Sequence, residues 1–116
     1  MPKITVYEKP TCTTCRKVAN ALTENRVDFE KVNYYVEPFS KTKLQTLLKK
    51  MKMKPSELLR KNEKVYKELK FKEKNYTEKQ ILDLMIKHPD LVQRPIVEKG
   101  TKAILARPSE KISELF

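Results

Sequence analysis

The first forty residues constrain the fold most. Lys3 to Tyr7 (KITVY) alternates polar residues with β-prone apolar ones, the period of a strand with one buried face. Pro10 and Thr11 end that strand. From Thr13 or Thr14 to about Asn25 the period becomes helical, with Val18, Ala21 and Leu22 on one side. Val27 to Tyr35 then returns to β-branched and aromatic residues and stops before Pro38, which predicts a second strand. A strand that passes through one helix into a parallel neighbour crosses over right-handedly, so few arrangements remain open.

The rest of the chain fills in around that unit. In residues 41–75, Leu44, Leu47, Leu48 and Met51 fall at i, i+3, i+4 and i+7, and Pro55 divides the stretch, which predicts a pair of amphipathic helices. Thr77 with Gln80 three residues on is a capping box for a helix that buries Ile81, Leu84 and Met85 and stops by Pro89. Ile96–Val97 and Ala103–Leu105 flank Gly100 as a hairpin. Ser109 to Phe116 predicts a closing helix with Ile112, Leu115 and Phe116 inward. The order is β-α-β, a helical insertion over about 40–88, then strands and a last helix. It predicts an α/β fold with a mixed sheet in the layout of a thioredoxin or glutaredoxin domain. At 116 residues, 1–116 is expected to form one domain.

Charge and rare residues narrow the function. Lys and Arg outnumber Asp and Glu by 26 to 15, a net +11 that first suggests an anionic partner. The excess is local: residues 41–75 carry thirteen basic and four acidic groups. With only Tyr66 and Phe71 among them, that stretch lacks the aromatic interleaving of a single-strand binder, and a solvated lysine face is favoured over nucleic acid. One glycine, Gly100, rules out a phosphate-binding glycine loop. One histidine, His88, leaves no two-histidine zinc motif, and no metal site is expected. No apolar run is long enough to span a membrane, and MPKITVYEKP has no signal-peptide character, so a cytoplasmic location is expected.

The chemistry concentrates at Cys12 and Cys15. They form a C-x-x-C where the first strand meets the first helix. Unpaired N–H groups and the partial positive charge of a helix start stabilise a thiolate at the first cysteine, and Lys9 and Arg16 are cations nearby. Cys15, one turn further in, suits a resolving thiol. Competing readings are two inert buried thiols, half of a zinc site, or a structural disulfide; too few zinc ligands and a reducing compartment weigh against the last two. Among 26 basic residues only five are Arg, and Arg60, Arg94 and Arg107 offer planar donor forks suited to an oxyanion. Arg94 and Arg107 each precede a proline, and the bond to Pro95 is a candidate for the cis form.

Over essentially its whole length the chain resembles the glutaredoxin-dependent type of arsenate reductase and its Spx-type relatives. The matching stretches are PTCTTCRK, LLRKN around Arg60, HPDLVQRPIV around Arg94 and ARPSE around Arg107. The resemblance implies that Cys12 attacks arsenate, that Arg60, Arg94 and Arg107 hold the oxyanion, and that Pro95 is the cis-proline of a thioredoxin-like fold. It implies no bound cofactor, with glutathione and glutaredoxin, or a similar thiol donor such as thioredoxin, as co-substrates. Two alternatives accompany it: a glutathione-dependent thiol-disulfide reductase, and an Spx-type redox-sensing regulator that contacts RNA polymerase through its basic middle. Glu8 and Cys15 stand where single-cysteine arsenate reductases typically have His and Ser. An anionic Glu8 beside Cys12 would oppose thiolate formation.

Overall fold

The computed structural model describes residues 3–9, 11–107 and 109–115. Two compact units emerge: one from the segments up to Glu37 and from Arg94 onward, the other from Pro38–Gln93.

The first unit holds β1 (Ile4–Glu8), α1 (Thr13–Glu24), β2 (Phe29–Asn33), β3 (Ile96–Lys99), β4 (Lys102–Leu105) and a closing 3-10 helix (Ser109–Leu115). The strand order is β2-β1-β3-β4, with β1 parallel to β2, and β3 antiparallel to both β1 and β4. This is the mixed sheet expected from the sequence. Strand alternation sorts β1 into two faces. Ile4 and Val6 join Val18 and Leu22 of α1, Val97 of β3, and Ile112 and Leu115 in one apolar cluster. Tyr7 points to the other face, where its hydroxyl donates to Glu98 at 2.9 Å. On α1 the buried residues are Cys15, Val18, Ala19 and Leu22, a single stripe at helical spacing. The crossover makes α1 run back against β1, so its first turn lies over the carboxyl end of the strand.

Three boundaries differ from the sequence expectation. β2 is shorter than Val27–Tyr35 because the chain turns at Asn33, whose side chain accepts the Tyr35 N–H at 3.0 Å and whose carbonyl accepts those of Val36 and Glu37. The closing helix has 3-10 geometry and buries Ile112 and Leu115, while Phe116, like Pro10 at the end of the first strand, lies outside the described residues. The basic middle forms three short helices where a pair was expected.

Those helices belong to the second unit: α2 (Lys41–Met51), α3 (Pro55–Leu58) and α4 (Lys64–Glu68), followed by α5 (Glu78–Lys87). Ser40 caps α2 through the Lys43 N–H at 3.0 Å, and Thr77 and Gln80 close the capping box on α5 at 3.2 and 2.9 Å. Leu44, Leu47 and Leu48 of α2 are buried, as are Ile81, Leu82 and Met85 of α5. The lysines of 41–75 are exposed apart from Lys43 and Lys50, which are half-buried.

Glycine scarcity leaves a mark on the backbone. Gly100 takes φ 59° in the two-residue β3–β4 turn, but Arg26, Lys52 and Lys70 occupy left-handed positions at φ 56°, 57° and 57° without being glycine. Such a conformation costs a side-chain-bearing residue about 1–2 kcal/mol, partly offset by its lower entropy in the unfolded chain. Lys52 is the exposed left-handed residue that ends α2. Lys52→Gly is therefore expected to stabilise the protein by about 0.5–1 kcal/mol in urea denaturation. Leu22→Ala, which empties the centre of the α1–sheet core, is expected to cost about 2–5 kcal/mol.

Candidate functional site

Cys12 is the N-cap residue of α1, with extended backbone (φ −77°, ψ 125°). Its N–H donates to the Lys9 carbonyl at 2.9 Å and its carbonyl accepts from Arg16 at 3.1 Å, which fixes the loop that carries it. Both cysteines are free thiols; Cys12 is half-buried and Cys15 fully buried. The Cys12 side chain closes no conventional cap hydrogen bond. Burial pushes its thiol up, but the Cys15 thiol and backbone N–H and the Arg94 guanidinium outweigh this and bring it below the ordinary cysteine value. Cys15 moves the other way. Burial first, then hydrogen bonding to Cys12 and the negative charges of Cys12 and Glu8, push its thiol up to about 12, although the Lys9 backbone opposes the shift. Of the pair, one thiol is primed as a nucleophile and the other is held protonated.

Arg94 supplies the positive charge. It is only 5% exposed, directly ahead of β3, and its peptide bond to Pro95 is cis. Burial disfavours the guanidinium, yet Tyr34, Tyr35 and Cys12 more than compensate and hold it charged. Its Nη1 donates to the Tyr35 hydroxyl at 3.3 Å. Tyr34 is buried beside Tyr35 with ring centroids 5.1 Å apart, and the Lys9 ammonium sits 4.9 Å from the Tyr35 ring centroid.

Arg107 joins Arg94 through the hairpin. The two-residue turn pairs Lys99 with Lys102 and Ile96 with Leu105. Two steps further out, the same register sets Arg94 against Arg107, whose Nη1 donates to the Arg94 carbonyl at 3.2 Å. The Ala106 N–H donates to the Pro95 carbonyl at 2.9 Å, so residues 106 and 107 are tied to the backbone of Arg94 and Pro95.

Of the residues singled out in the sequence, Cys12, Cys15, Arg94, Pro95 and Arg107 thus meet in the sheet unit. Arg60 belongs to the helical unit. There the Leu59–Val92 bridge and the Arg60 N–H to Leu91 carbonyl bond at 2.7 Å fix its backbone. Its Nε lies 2.7 Å from the Glu63 carboxylate, and its Nη1 is buried with no hydrogen-bond partner among the described residues. The helical unit also contains a groove of about 770 Å³ lined by Leu48, Met53, Leu82, Lys49 and Lys79, which includes neither cysteine nor arginine.

Two features escaped the sequence reading. Tyr34 and Tyr35 were expected at the end of a strand but fold back as partners of Arg94, beyond the turn that Asn33 makes. Glu8 was expected to oppose thiolate formation if it lay close to Cys12, and it is not among the groups that act on the Cys12 thiol. Instead it is buried, lies 4.0 Å from the Lys31 ammonium, and its charge bears on Cys15. Burial raises the Glu8 carboxyl above its ordinary value, with Lys31 pulling the other way. Among the described residues no cluster of three or more His, Cys, Asp or Glu could hold a metal ion, and no helix is long and apolar enough to cross a membrane.

The model of the ArsC family matches residues 7–115. Protein YfgD of Escherichia coli K12 is 35% identical over 114 residues, which cover 97% of this chain and 96% of that one. An arsenate reductase of Acidiphilium multivorum is 34% identical over 116 residues, which cover all of this chain and 82% of that one. The solved structure of an arsenate reductase from Vibrio cholerae superimposes with a TM-score of 0.93 at 24% identity, covering 99% of this chain and 98% of that one. The fold is thioredoxin-like.

The electrostatics predict how the two thiols react. Iodoacetamide at neutral pH is expected to label Cys12 and spare Cys15, as read by peptide mass spectrometry. Removal of the positive charge in Arg94→Ala destabilises the thiolate, so the pH midpoint of labelling moves up and the rate at pH 7 falls several-fold. An unchanged midpoint would mean that the guanidinium does not act on the Cys12 sulfur.

Proposed function

The chain belongs to the ArsC family, and from that membership we propose that it is a thiol-dependent oxidoreductase that reduces arsenate to arsenite through Cys12. The observation that carries the proposal is the activated Cys12 thiol at the start of α1 beside the buried, charged Arg94. A thiolate alone would suit many reactions; a thiolate facing a buried guanidinium suits an anionic electrophile.

In the proposed reaction the Cys12 thiolate attacks arsenic(V), forming an S–As bond as one oxygen leaves as hydroxide or, once protonated, as water. Arg94 and Arg107 neutralise the charge of the remaining oxygens. Arg60 is the third oxyanion ligand in this reading; its buried, unpartnered Nη1 is the kind of donor that an anion satisfies. A second thiol then attacks the Cys12 sulfur. The new S–S bond replaces the S–As bond, whose electron pair stays with arsenic and reduces it to arsenic(III). Two thiols have given up two electrons to one arsenic. Cys15 is assigned the role of second thiol, and glutathione with glutaredoxin, or a similar dithiol donor, returns the disulfide to thiols. Free thiols of this kind fit a reducing cytoplasm.

The contact between the Cys12 and Cys15 thiols also favours a second reading, reduction of glutathione mixed disulfides, which needs no oxyanion site. One set of assays separates the two. With glutathione and glutaredoxin supplied, the protein is expected to turn over arsenate, Cys12→Ser to abolish turnover, and Arg94→Ala, Arg107→Ala and Arg60→Ala each to lower kcat/KM by roughly 10²–10³-fold. Those arginine variants should still reduce a glutathione mixed disulfide if the oxyanion is their ligand. No arsenite formation by the wild type, alongside efficient mixed-disulfide reduction, would sink the arsenate reading and leave the second.

A further inference from the structure

A resolving thiol that is wholly buried faces a difficulty: only its thiolate is nucleophilic, and water has no direct access to take its proton. The structure assigns Glu8 as the proton acceptor for Cys15 when Cys15 attacks the Cys12 sulfur. This inference rests on the reading of Cys15 as the second thiol.

The placement follows from the fold. Ile4, Val6 and Glu8 alternate onto one face of β1, and Ile4 and Val6 pack with Leu22 and Val18 of α1. Because α1 runs back along β1, the next position on the strand, Glu8, faces the next inward position on the helix, Cys15, and its charge bears on that thiol. Both are buried, at 4% and 0% exposure. Across the sheet Glu8 pairs with Asn33 on β2, and Lys31 lies two residues back along the same strand. The Lys31 ammonium lies 4.0 Å from the Glu8 carboxylate and is itself more than half exposed. The titratable groups bearing on Glu8 are thus Lys31 from β2 and Cys15 from α1; Tyr7 and Glu98 pair on the opposite face. Lys31 favours the carboxylate form of Glu8, the form that can accept a proton.

Timing follows from charge. In the resting protein the Cys12 thiolate helps hold the Cys15 proton in place. Once Cys12 is covalently bonded to its electrophile that negative charge is gone, and the Cys15 proton becomes easier to remove. Its transfer to Glu8 converts S–H and COO⁻ into S⁻ and COOH. The buried region keeps a single negative charge, now on the sulfur. The Cys15 thiolate then forms the S–S bond while the bond from Cys12 to its electrophile breaks, the electron pair leaving with that group.

An aromatic disulfide, 5,5′-dithiobis(2-nitrobenzoate), tests the step without arsenate. Attack by Cys12 on this probe releases one coloured thiolate, and attack by Cys15 on the resulting mixed disulfide releases the second. In stopped-flow absorbance, Glu8→Gln is expected to leave the first phase within about twofold and to slow the second on the order of 10²-fold at pH 7. In that variant the second phase should rise about tenfold per pH unit as hydroxide takes over, whereas in the wild type it levels off once Glu8 is ionised. Glu8→Asp should restore part of the rate. A second phase with unchanged rate and pH profile in Glu8→Gln overturns the assignment, and so does equal slowing of both phases, which would mark a structural defect. If the wild type shows no second phase, both the assignment and the role of Cys15 fall. Two normal phases with no arsenate turnover would remove the arsenate reading alone.

Discussion

The return of α1 against β1 is the constraint on which the site depends. Together with the antiparallel pairing of β1 and β3, it brings three things to the carboxyl end of one strand: the first turn of a helix, the loop that carries Cys12, and the residues entering β3 from Arg94. The cost of holding that arrangement is met by apolar burial along the rest of the interface, where Val18 and Leu22 pack against Ile4, Val6 and Val97. The reactive end is polar because the apolar end is dry. A shift of one residue in β1 would exchange its two faces, placing Tyr7 under Cys15 and Glu8 beside Glu98.

Charge in the site is arranged by burial more than by number. The chain carries 26 cationic side chains, yet one guanidinium, Arg94, dominates at Cys12. A surface lysine interacts through water and mobile salt, which screens within about 10 Å at 0.1 M ionic strength. Arg94 is shielded from both, and its charge is retained because the Tyr34 and Tyr35 phenols and the Cys12 sulfur solvate it in place of water. The exposed lysines of 41–75 carry most of the excess positive charge, and solvent and salt screen each of them. Binding specificity is assigned to the arginines, whose donor forks have a fixed geometry that a lysine lacks.

Most of this fold was legible because its elements alternate cleanly between periods of two and 3.6. The C-x-x-C stood out for the same reason, since it falls where one period gives way to the other. The meeting of Arg94 with Arg107 was implicit in the hairpin: a two-residue turn at Gly100 sets the register, and the register carries both arginines to the same level. Nothing comparable announced Tyr35. Its role depends on Asn33 turning the chain, a side-chain-to-backbone bond that competes with strand continuation and that the β-propensity of the surrounding residues masks in the sequence. The helix lengths in 41–75 were obscured similarly, because a left-handed Lys52 ends α2 where no glycine marks the stop.

Glu8 shows why a residue's charge has to be read together with its strand parity. Taken by its distance along the chain, it is a carboxylate four residues from the nucleophile and an obstacle to the thiolate. Taken by its face, it looks across to the helix stripe that begins at Cys15, where its negative charge adds to the burial that keeps that thiol neutral. The pair is asymmetric through burial first: the fully buried Cys15 thiol resists ionisation, with Cys12 and Glu8 adding to that, while hydrogen bonds from Cys15 and the charge of Arg94 favour ionisation of Cys12. Had both thiols shared one environment, their ionisation would compete, and either sulfur would react first. With Ser at position 15, a chain of this fold would have no second thiol to deprotonate and no need of a carboxylate facing it. The two departures are therefore best understood as one change, in which a second thiol and the carboxylate that manages its proton occupy facing positions on α1 and β1.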